Sequence, residues 1–297
     1  MHKAFLLGAG LGTRLKPLTD TLPKPLLPFE NRPLVTHILD RCIAAGLTDI
    51  AINTHHLHRA WHEVFPDGTY KETKLSFFHE PDLLETGGGL KNIASWIGSD
   101  HVLVHNADIL TDLPLDRLLA AHTNSHNTAT LAVKDHGPAL RLAVDGQRVT
   151  DIHGKLDGRE STHQFTGVYV VAPGILELIP DHEKISVIPA FLELARKGKL
   201  GAYHVEGDPE WIDLGTREAY LEASLSRKPR VAGSAEIAPS AVTENSWIGE
   251  GCRVEGNAVI RDSILWPHTV VSNDAELTKC IVHSKSPVAG KHLEADL

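Results

Sequence analysis

The chain has few cysteines, few aromatic residues and no long apolar run. Its 297 residues include three cysteines, and aromatic residues make up 5% of the composition. Cys42, Cys252 and Cys280 are far apart in sequence, so they lack the close spacing of zinc sites and small disulfide frameworks. No apolar run approaches the roughly 20 residues of a membrane-spanning helix. We therefore expect reduced thiols and a cytoplasmic protein that has no membrane partner.

Basic residues are also in the minority. The formal net charge is -9 at pH 7, which argues against a general nucleic-acid or anionic-membrane surface, because such surfaces need excess lysine and arginine. The first residues lack the charged region and long apolar stretch of a secretory signal. Hydrophobic residues make up 42% and charged residues 23%, an ordinary globular composition. The composition predicts a folded protein in which any phosphate site is local.

Apolar strands alternate with helical patterns over the first three quarters of the chain. The predicted strands are 4–7, 50–53, 75–78, 102–106, 130–133 and 167–171, and the predicted helices are 34–43, 89–97, 115–121, 187–197 and 218–225. This alternation predicts an α/β fold with a Rossmann-like, mostly parallel sheet covered on both faces. Ligands of such sheets bind beyond the carboxyl ends of the strands.

The pattern changes after the linker-like segment Arg227-Lys228-Pro229-Arg230. Apolar residues then recur about every six positions, at Val231, Ile237, Ile248, Val254, Ile260, Trp266, Val271 and Leu277. The register slips twice, between Ile237 and Ile248 and between Trp266 and Val271. A six-residue repeat is typical of a parallel β-helix, although a generic β-rich tail is the alternative. We predict one domain over residues 1–228 and a short left-handed parallel β-helix over residues 229–297.

The turn after the first strand is rich in glycine and ends in an arginine. It reads Gly8-Ala9-Gly10-Leu11-Gly12-Thr13-Arg14. Backbone N–H groups in such a turn can hold a phosphate while Arg14 binds its oxygens in a bidentate manner. A dinucleotide-binding fingerprint would need glycine in place of Thr13. A tight structural turn is the alternative, so this motif alone does not decide the function.

A lysine follows between two prolines, in Pro23-Lys24-Pro25-Leu26. The prolines fix φ on both sides of Lys24 and remove backbone donors. Such confinement suits a lysine that must meet one phosphate oxygen, because a charge positioned beforehand needs no reorganisation during reaction. Further along, Asp108 follows a predicted strand at the ligand edge of the sheet, where a carboxylate can hold Mg²⁺. A turn or helix-cap aspartate is the alternative reading of Asp108.

The glycine-rich turn with Arg14 and the Pro23-Lys24-Pro25-Leu26 segment together resemble the signature of the sugar-phosphate nucleotidylyltransferases, or NDP-sugar pyrophosphorylases. The resemblance extends to about Leu225, and hexad tails also occur in several branches of that family. It implies an enzyme that joins a nucleoside triphosphate to a sugar 1-phosphate and releases pyrophosphate. It also implies catalytic roles for Arg14, on the reacting phosphates, and for Lys24, on the sugar phosphate. The implied triphosphate-binding residues are Leu7, Gly8, Ala9, Gly10, Gly12 and Thr13.

Two further motifs gain a role from this resemblance. Trp211-Ile212-Asp213-Leu214-Gly215-Thr216 resembles the family motif Trp-x-Asp-x-Gly-Thr, and it implies that Asp213 completes the Mg²⁺ site with Asp108. The segment 84–90 resembles the base-recognition loop, and its form is most similar to the muramate 1-phosphate uridylyltransferases. That branch is close to the mannose and heptose 1-phosphate guanylyltransferases, so UTP and GTP both stay open. The implied base contacts are Glu85, Thr86, Gly87 and Gly88.

The predicted sugar side is less regular. Lys155 resembles the lysine of a Glu-Lys-Pro motif that reaches the sugar phosphate, but Gly154 stands where that motif has its sugar-binding glutamate. Thr166 and Gly167 resemble a sugar-contacting turn, and Asn106 belongs to the same predicted sugar-phosphate site. The identity of the sugar therefore stays open.

Two other functions are alternatives to this prediction. A non-catalytic regulatory homologue that binds nucleotide sugars is the main alternative, and the joint presence of Arg14, Lys24, Asp108 and Asp213 argues against it. An acyltransferase with a loop histidine in the tail is weaker, because the tail has few coils. β-helix tails often pack together, so a homo-oligomer through the tail is an open expectation.

Overall fold

The structure is a computed structural model that describes residues 1–228 and 230–297. It divides into two compact units. The first, which we call the sheet unit, comprises Met1–Leu11 and His37–Trp211; the second, the coil unit, comprises Gly12–Thr36 and Ile212–Leu297. Pro229 of the predicted linker lies outside the described residues.

The boundaries of the two units differ from the predicted division between residues 228 and 229. The predicted domain boundary stays a prediction. The coil unit includes the N-terminal segment Gly12–Thr36 because this segment contacts the tail and the helix before it. Asn31, for example, donates a hydrogen bond from Nδ2 to the backbone oxygen of Ile248 over 3.1 Å. A linear reading of the sequence gives no sign of such a long-range contact.

The sheet unit is built on one ten-stranded sheet. In chain order its strands are β1 (Lys3–Leu7), β2 (Asp49–Thr54), β3 (Thr69–Tyr70), β4 (Thr73–His79), β5 (Val102–Asn106), β6 (Ala129–Lys134), β7 (Leu140–Asp145), β8 (Arg148–Ile152), β9 (His163–Val171) and β10 (Leu200–His204). Their spatial order is β7-β8-β10-β6-β9-β5-β1-β2-β4-β3. The central position of β1 explains why Ala4, Phe5 and Leu6 are fully buried.

The helices mostly fall where the apolar pattern predicts them. They are α1 (Leu34–Ala44), α2 (Arg59–Val64), α3 (Glu85–Asn92), α4 (Ala94–Ile97), α5 (Leu115–Thr123), α6 (Ile188–Arg196) and α7 (Arg217–Ser226). The helix predicted over 89–97 begins earlier, at Glu85, and is interrupted at Ile93. Among residues 1–228 and 230–297, no helix has both the length and the apolar character needed to cross a membrane.

The prediction of a mostly parallel sheet is wrong for one half of it. Strands β5, β1, β2 and β4 run parallel, and β6 pairs in parallel with β10. In contrast, β9 is antiparallel to both β5 and β6, and β7 and β8 form an antiparallel hairpin. Gly146 turns this hairpin with a φ of 55°, a left-handed conformation that glycine adopts at little cost. A turn this short reverses the chain without a crossover helix, so the sheet is mixed.

One buried cluster joins the sheet to the helices on one face. Phe5, Val104 and Tyr169 from three strands share it with Leu90 of α3 and Phe191 of α6. The rings of Tyr169 and Phe191 meet edge to face at 5.2 Å, a favoured aromatic geometry. This packing fixes β1 and β5, and the carboxyl ends of these strands carry several of the predicted site residues.

The tail in the coil unit consists of short strands that stack in three parallel sheets. Strands Glu236–Ile237, Val242–Glu244 and Trp247–Ile248 each begin one stack. Successive strands of a stack pair in parallel at an offset of 17 residues, as Ile248 pairs with Leu265 and Leu265 with Val282; the last pairing, of Leu277 with His292, is the exception. A 17-residue coil with three faces needs steps of six, five and six residues. The two register slips in the sequence are therefore a regular feature of the coil.

The regular step also corrects one residue of the sequence pattern. The pattern placed Trp266 at an inward position, whereas the structure places Leu265 in the buried cluster of the coils with Ile248 and Val282. Trp266 is nevertheless 5% exposed. The centroids of its ring and the ring of His283 are 5.4 Å apart, so Trp266 packs against the next coil.

The buried faces of the coils predict a measurable stability difference. Ile260 is fully buried between stacked coils, whereas Val242, one coil earlier on the same sheet, is 45% exposed. We expect Ile260→Ala to lower the free energy of unfolding by about 2–5 kcal/mol through lost burial and a residual cavity. The matched control Val242→Ala should change it by less than about 0.5 kcal/mol. Chemical denaturation measures both, and equal effects would contradict the stacking.

Candidate active site

The turn after β1 is fastened to the sheet unit by a buried polar network. The backbone N–H of Gly8 donates to Oδ1 of Asn53 over 2.8 Å, and Nδ2 of Asn53 donates to Oε1 of Glu80 over 2.7 Å. The other oxygen of Glu80 accepts from the backbone N–H of Leu84 over 3.0 Å. Glu80 is fully buried, so these donors offset the cost of removing its carboxylate from water.

Sequence reasoning missed Asn53 and Glu80. The network joins the predicted triphosphate turn to the predicted base-recognition loop. It leaves no room for a side chain at Gly89 of that loop. A Cβ at Gly89 would lie 2.9 Å from both Nδ2 of Asn53 and Oε1 of Glu80. The available signal was Asn53 itself, a polar residue at the carboxyl end of an otherwise apolar strand.

The glycines of the predicted base-recognition loop pack against a neighbouring segment. The N–H groups of Gly87 and Gly88 donate to the backbone oxygen of Ile185 over 2.9 and 3.0 Å. A Cβ at Gly88 would lie 2.4 Å from the backbone oxygen of Glu183. The hydroxyl of Thr86 accepts from the N–H of Val187 over 3.0 Å. Close packing therefore accounts for these glycines, and base contacts at Glu85–Gly88 stay a prediction.

The carboxyl end of β5 brings Asn106 and Gly167 together. Gly167 has a φ of 78° on β9, and a Cβ there would lie 2.8 Å from Nδ2 of Asn106. Thr166 is fully buried and donates its hydroxyl to the backbone oxygen of Ala132 over 2.9 Å. Asp108 is half-buried in the turn that follows β5. Of these residues, Asn106 and Gly167 face a cavity, and Thr166 uses its side chain within the sheet.

This cavity has a volume of about 260 Å³ and lies wholly in the sheet unit. Its lining combines an apolar floor with a few polar side chains. The lining residues are Asn106, Ile109, Leu131, Ala139, Arg141, Leu142, Ile152, His153, Gln164, Phe165, Gly167, Ile188, Phe191 and Trp211. Lys155 is exposed and is not part of this lining.

His105 in β5 is buried directly before Asn106. Burial lowers its pKa to about 4, and the positive charge of Arg41 acts in the same direction, although Asn106 and Asp108 oppose the shift. Nδ1 of His105 donates to the backbone oxygen of Asn106 over 2.8 Å. A neutral imidazole therefore supports the strand end that carries Asn106 and Asp108.

The coil unit contains the two basic residues of the signature. Both lie in short 3-10 turns, Arg14 in Thr13–Leu15 and Lys24 in Lys24–Leu26. Lys24 is only 7% exposed, and its Nζ lies 3.6 Å from Oδ1 of Asp213. The two flanking prolines therefore confine a lysine whose ammonium faces a carboxylate, and its predicted contact with a phosphate stays a prediction.

Gly215 is the point at which Arg14 joins this pair. A Cβ at Gly215 would lie 2.5 Å from Nη2 of Arg14 and 2.9 Å from Oδ1 of Asp213. The motif that carries Asp213 thus packs its glycine beneath the guanidinium group of Arg14. Within the coil unit, Asp213 therefore lies near both basic residues of the signature, which come from the opposite end of the predicted catalytic domain.

Helix α7 and the tail hold the segment after Lys24 in place. The Tyr220 hydroxyl of α7 donates to the backbone oxygen of Pro28, and the guanidinium group of Arg227 pairs with Glu30 at 3.2 Å. Nε1 of Trp247 in the first coil donates to the backbone oxygen of Ser224 over 2.7 Å. The tail is therefore linked through α7 to the segment that follows Lys24.

Comparisons with known proteins agree with this arrangement. The family model described as nucleotidyl transferase matches residues 3–228. The chain belongs to the nucleotidyl transferase family. The predicted resemblance to the sugar-phosphate nucleotidylyltransferases is thereby confirmed, and an enzyme is favoured over the non-catalytic alternative.

Similar relatives carry closely related names. A mannose-1-phosphate guanylyltransferase of Mycobacterium tuberculosis is 30% identical over 279 residues, which cover 92% of this chain and 76% of that protein. A UTP–glucose-1-phosphate uridylyltransferase of Synechocystis is 29% identical over 74% of this chain, and a mannose-1-phosphate guanyltransferase of Aspergillus oryzae is 30% identical over 75%. This chain spans only 62% and 63% of those two relatives.

Solved structures support the fold. UTP-bound UGPase from Acinetobacter baumannii matches with a TM-score of 0.63 and 20% identity, covering 76% of this chain and 93% of that chain. At this identity the match shows the mixed α/β nucleotidyltransferase fold alone.

Within residues 1–228 and 230–297, no group of three or more histidine, cysteine, aspartate or glutamate side chains could hold a metal ion. The predicted ligands, Asp108 and Asp213, are two carboxylates, one in each unit. In a nucleotidyl transferase the remaining ligands would come from phosphate oxygens and water.

The contact between Gly215 and Arg14 predicts a loss of activity. We expect Gly215→Ala to displace the guanidinium group and lower kcat/KM for nucleotidyl transfer by about 10- to 100-fold, since small misplacements of positioning groups have effects of this size. Gly233→Ala is the control, because a Cβ there meets no atom within 4 Å. Steady-state kinetics compare the variants, and wild-type kinetics for Gly215→Ala would contradict the role of this contact.

The lowered pKa of His105 predicts an acid-sensitive fold. The unfolded chain takes up a proton near pH 6.5 that the folded chain accepts only near pH 4, so stability falls as the pH drops below 6.5. At pH 5 this difference corresponds to about 2 kcal/mol.

Unfolding free energies at pH 7 and pH 5 measure this effect. His105→Gln should reduce the loss of stability between the two pH values, whereas the exposed His126→Gln should leave it unchanged. An identical loss in all three proteins would show that His105 does not titrate in this way.

Proposed function

We propose that this chain transfers a nucleotidyl group from a nucleoside triphosphate, UTP or GTP, to a sugar 1-phosphate. The names of the relatives, guanylyl- and uridylyltransferases of sugar 1-phosphates, support the reaction class. The observation that carries the proposal is that Asp213 lies beside Lys24 and shares the surroundings of Gly215 with Arg14. A nearly buried lysine and an exposed arginine on either side of one acid suit a reaction between two phosphates.

In this reaction an oxygen of the sugar 1-phosphate attacks the α-phosphorus of the triphosphate. The bond between the α-phosphorus and its bridging oxygen breaks on the opposite side, and pyrophosphate leaves. Such displacements need positioning and charge neutralisation, and no side-chain nucleophile. Lys24 would hold the sugar phosphate, and Arg14 would offset negative charge on the triphosphate. The confinement of Lys24 keeps its charge in place before the substrates bind.

Mg²⁺ fits the chemistry of the proposed ligands. Asp108 and Asp213 offer hard carboxylate oxygens, and the side chain of Asp213 is 42% exposed, which leaves it accessible to an ion. The motif match supports the choice of this pair. The ion, when bound, would neutralise charge on the reacting phosphates. Lys24 beside Asp213 would also keep the carboxylate oriented.

The remaining assignments follow from the family. The triphosphate would lie on Leu7–Thr13 and the base near Glu85–Gly88, while Asn106, Lys155 and the turn at Thr166 and Gly167 would serve the sugar phosphate. We also infer that the tail is a left-handed parallel β-helix, which the 17-residue stacking supports. Assembly through this tail, the domain boundary at residue 228 and a cytoplasmic location complete the proposal.

The test combines each of four nucleoside triphosphates with several sugar 1-phosphates. For each pair, pyrophosphate release is measured with and without Mg²⁺. We expect release only when both substrates and the metal are present. Lys24→Ala and Asp108→Asn should each lower kcat/KM by about 100-fold or more, because each removes a charge aligned with the reacting phosphates.

The matched control is Lys285→Ala, which removes an exposed lysine of the tail. Circular dichroism and the thermal midpoint establish that each variant is folded. Full activity in folded Lys24→Ala would rule out the proposed role of the lysine, and no pyrophosphate release with any substrate pair would rule out the reaction.

A further inference from the structure

The cavity of the sheet unit has an unusual balance of charge for a sugar site. Its polar lining includes Arg141, His153, Asn106 and Gln164. Within this lining, over the residues that the structure describes, there is no aspartate or glutamate. The glutamate that the family resemblance leads one to expect is replaced by Gly154. The site therefore has a cationic side chain and lacks the carboxylate that usually receives sugar hydroxyl groups.

Arg141 and His153 are neighbours on the hairpin of β7 and β8. The backbone N–H of His153 donates to the backbone oxygen of Arg141 over 2.8 Å. Nη1 of the Arg141 side chain lies 3.5 Å from Nδ1 of the His153 ring. Partial burial lowers the pKa of His153, and the charges of Arg141 and Lys155 lower it further. A neutral imidazole can accept this hydrogen bond from Arg141, so it orients the guanidinium group and leaves its charge unbalanced.

The buried carboxylate of this hairpin is engaged by backbone groups. Asp151 is fully buried and accepts hydrogen bonds from the N–H groups of Ile152, Leu156 and Asp157. Across residues 1–228 and 230–297, Arg141 forms no ion pair with a carboxylate. An anionic group of a ligand in the cavity would supply the missing partner.

We propose that the sugar 1-phosphate accepted here carries a carboxylate, which Arg141 binds from the lining of the cavity. The guanidinium group matches a carboxylate with two parallel hydrogen bonds, and His153 acts as a positioning residue. Leu131, Ile152 and Phe165 belong to the apolar part of the lining, which would contact the sugar ring, while Arg141 itself is exposed and would act through its two hydrogen bonds. This inference rests on the proposed function and specifies its sugar substrate.

The competing explanation is that Arg141 binds the 1-phosphate, which every substrate of this kind contains. The two explanations differ in one measurable respect. If Arg141 binds the 1-phosphate, its replacement lowers kcat/KM for all sugar 1-phosphates equally. If Arg141 binds a carboxylate, its replacement lowers kcat/KM for acidic sugars only. A matched pair of substrates that differ by this one group therefore separates them.

The experiment compares hexose 1-phosphates with the hexuronic acid 1-phosphates of the same configuration, using glucose, glucuronic acid, mannose and mannuronic acid derivatives. We expect wild-type protein to prefer the acidic member of a pair by at least about 10-fold in kcat/KM. Arg141→Gln should lower kcat/KM for the acidic substrate by about 10- to 100-fold, mainly through KM, and change the neutral one by less than about 3-fold. Arg141→Lys should restore part of the preference, because it keeps the charge and loses the bidentate geometry.

Arg148→Gln is the matched control, because Arg148 lies on the same hairpin and outside the lining of the cavity. It should leave the preference unchanged. An equal loss on acidic and neutral substrates in Arg141→Gln, or a wild-type preference for neutral sugars, would overturn this inference and leave the proposed reaction intact. No turnover with any sugar 1-phosphate and any nucleotide would overturn the proposed function itself.

Discussion

The structure depends on keeping one lysine ammonium, that of Lys24, nearly buried beside the carboxylate of Asp213. Removing a charge from water is costly unless partners compensate for it. The two flanking prolines limit the backbone, the carboxylate lies 3.6 Å away, and Gly215 allows the guanidinium group of Arg14 to pack close by. An ion pair of which only the lysine is buried contributes little net stability, so its value lies in a charge that is positioned before substrate binds.

The need to hold Lys24 in place also gives the tail a role. Helix α7 begins shortly after Asp213, and it contacts the chain after Lys24 through Tyr220. The first coil in turn supports α7 through Trp247 and the N-terminal segment through Asn31. Stacked coils form a rigid surface because each strand pairs with the next along a parallel ladder. The tail thus gives mechanical support to the residues that would handle phosphates.

The sheet unit also contains a buried charge, the carboxylate of Glu80, which hydrogen-bond donors compensate. The turn that is predicted to bind phosphate is held by a buried carboxylate, Glu80, which reaches Gly8 through the side-chain amide of Asn53. The sequence predicted the turn correctly but gave no indication of its support, because the three residues lie on separate strands and loops. The antiparallel half of the sheet was missed for a similar reason. Strand β9 carries an apolar pattern that is compatible with either direction, and only its neighbours decide which one it takes.

The sequence by itself determined the family, the reaction class and the residues of the signature, because Arg14, Lys24 and Asp213 belong to local motifs whose chemistry depends on residue type and short spacing. It also determined the repeat of the tail, although the 17-residue step became clear only from the pairing of the strands. The tertiary structure alone decided which distant motifs meet. Burial, cavity lining and the unbalanced charge of Arg141 arise from contacts between residues far apart in the chain, and no local pattern encodes them.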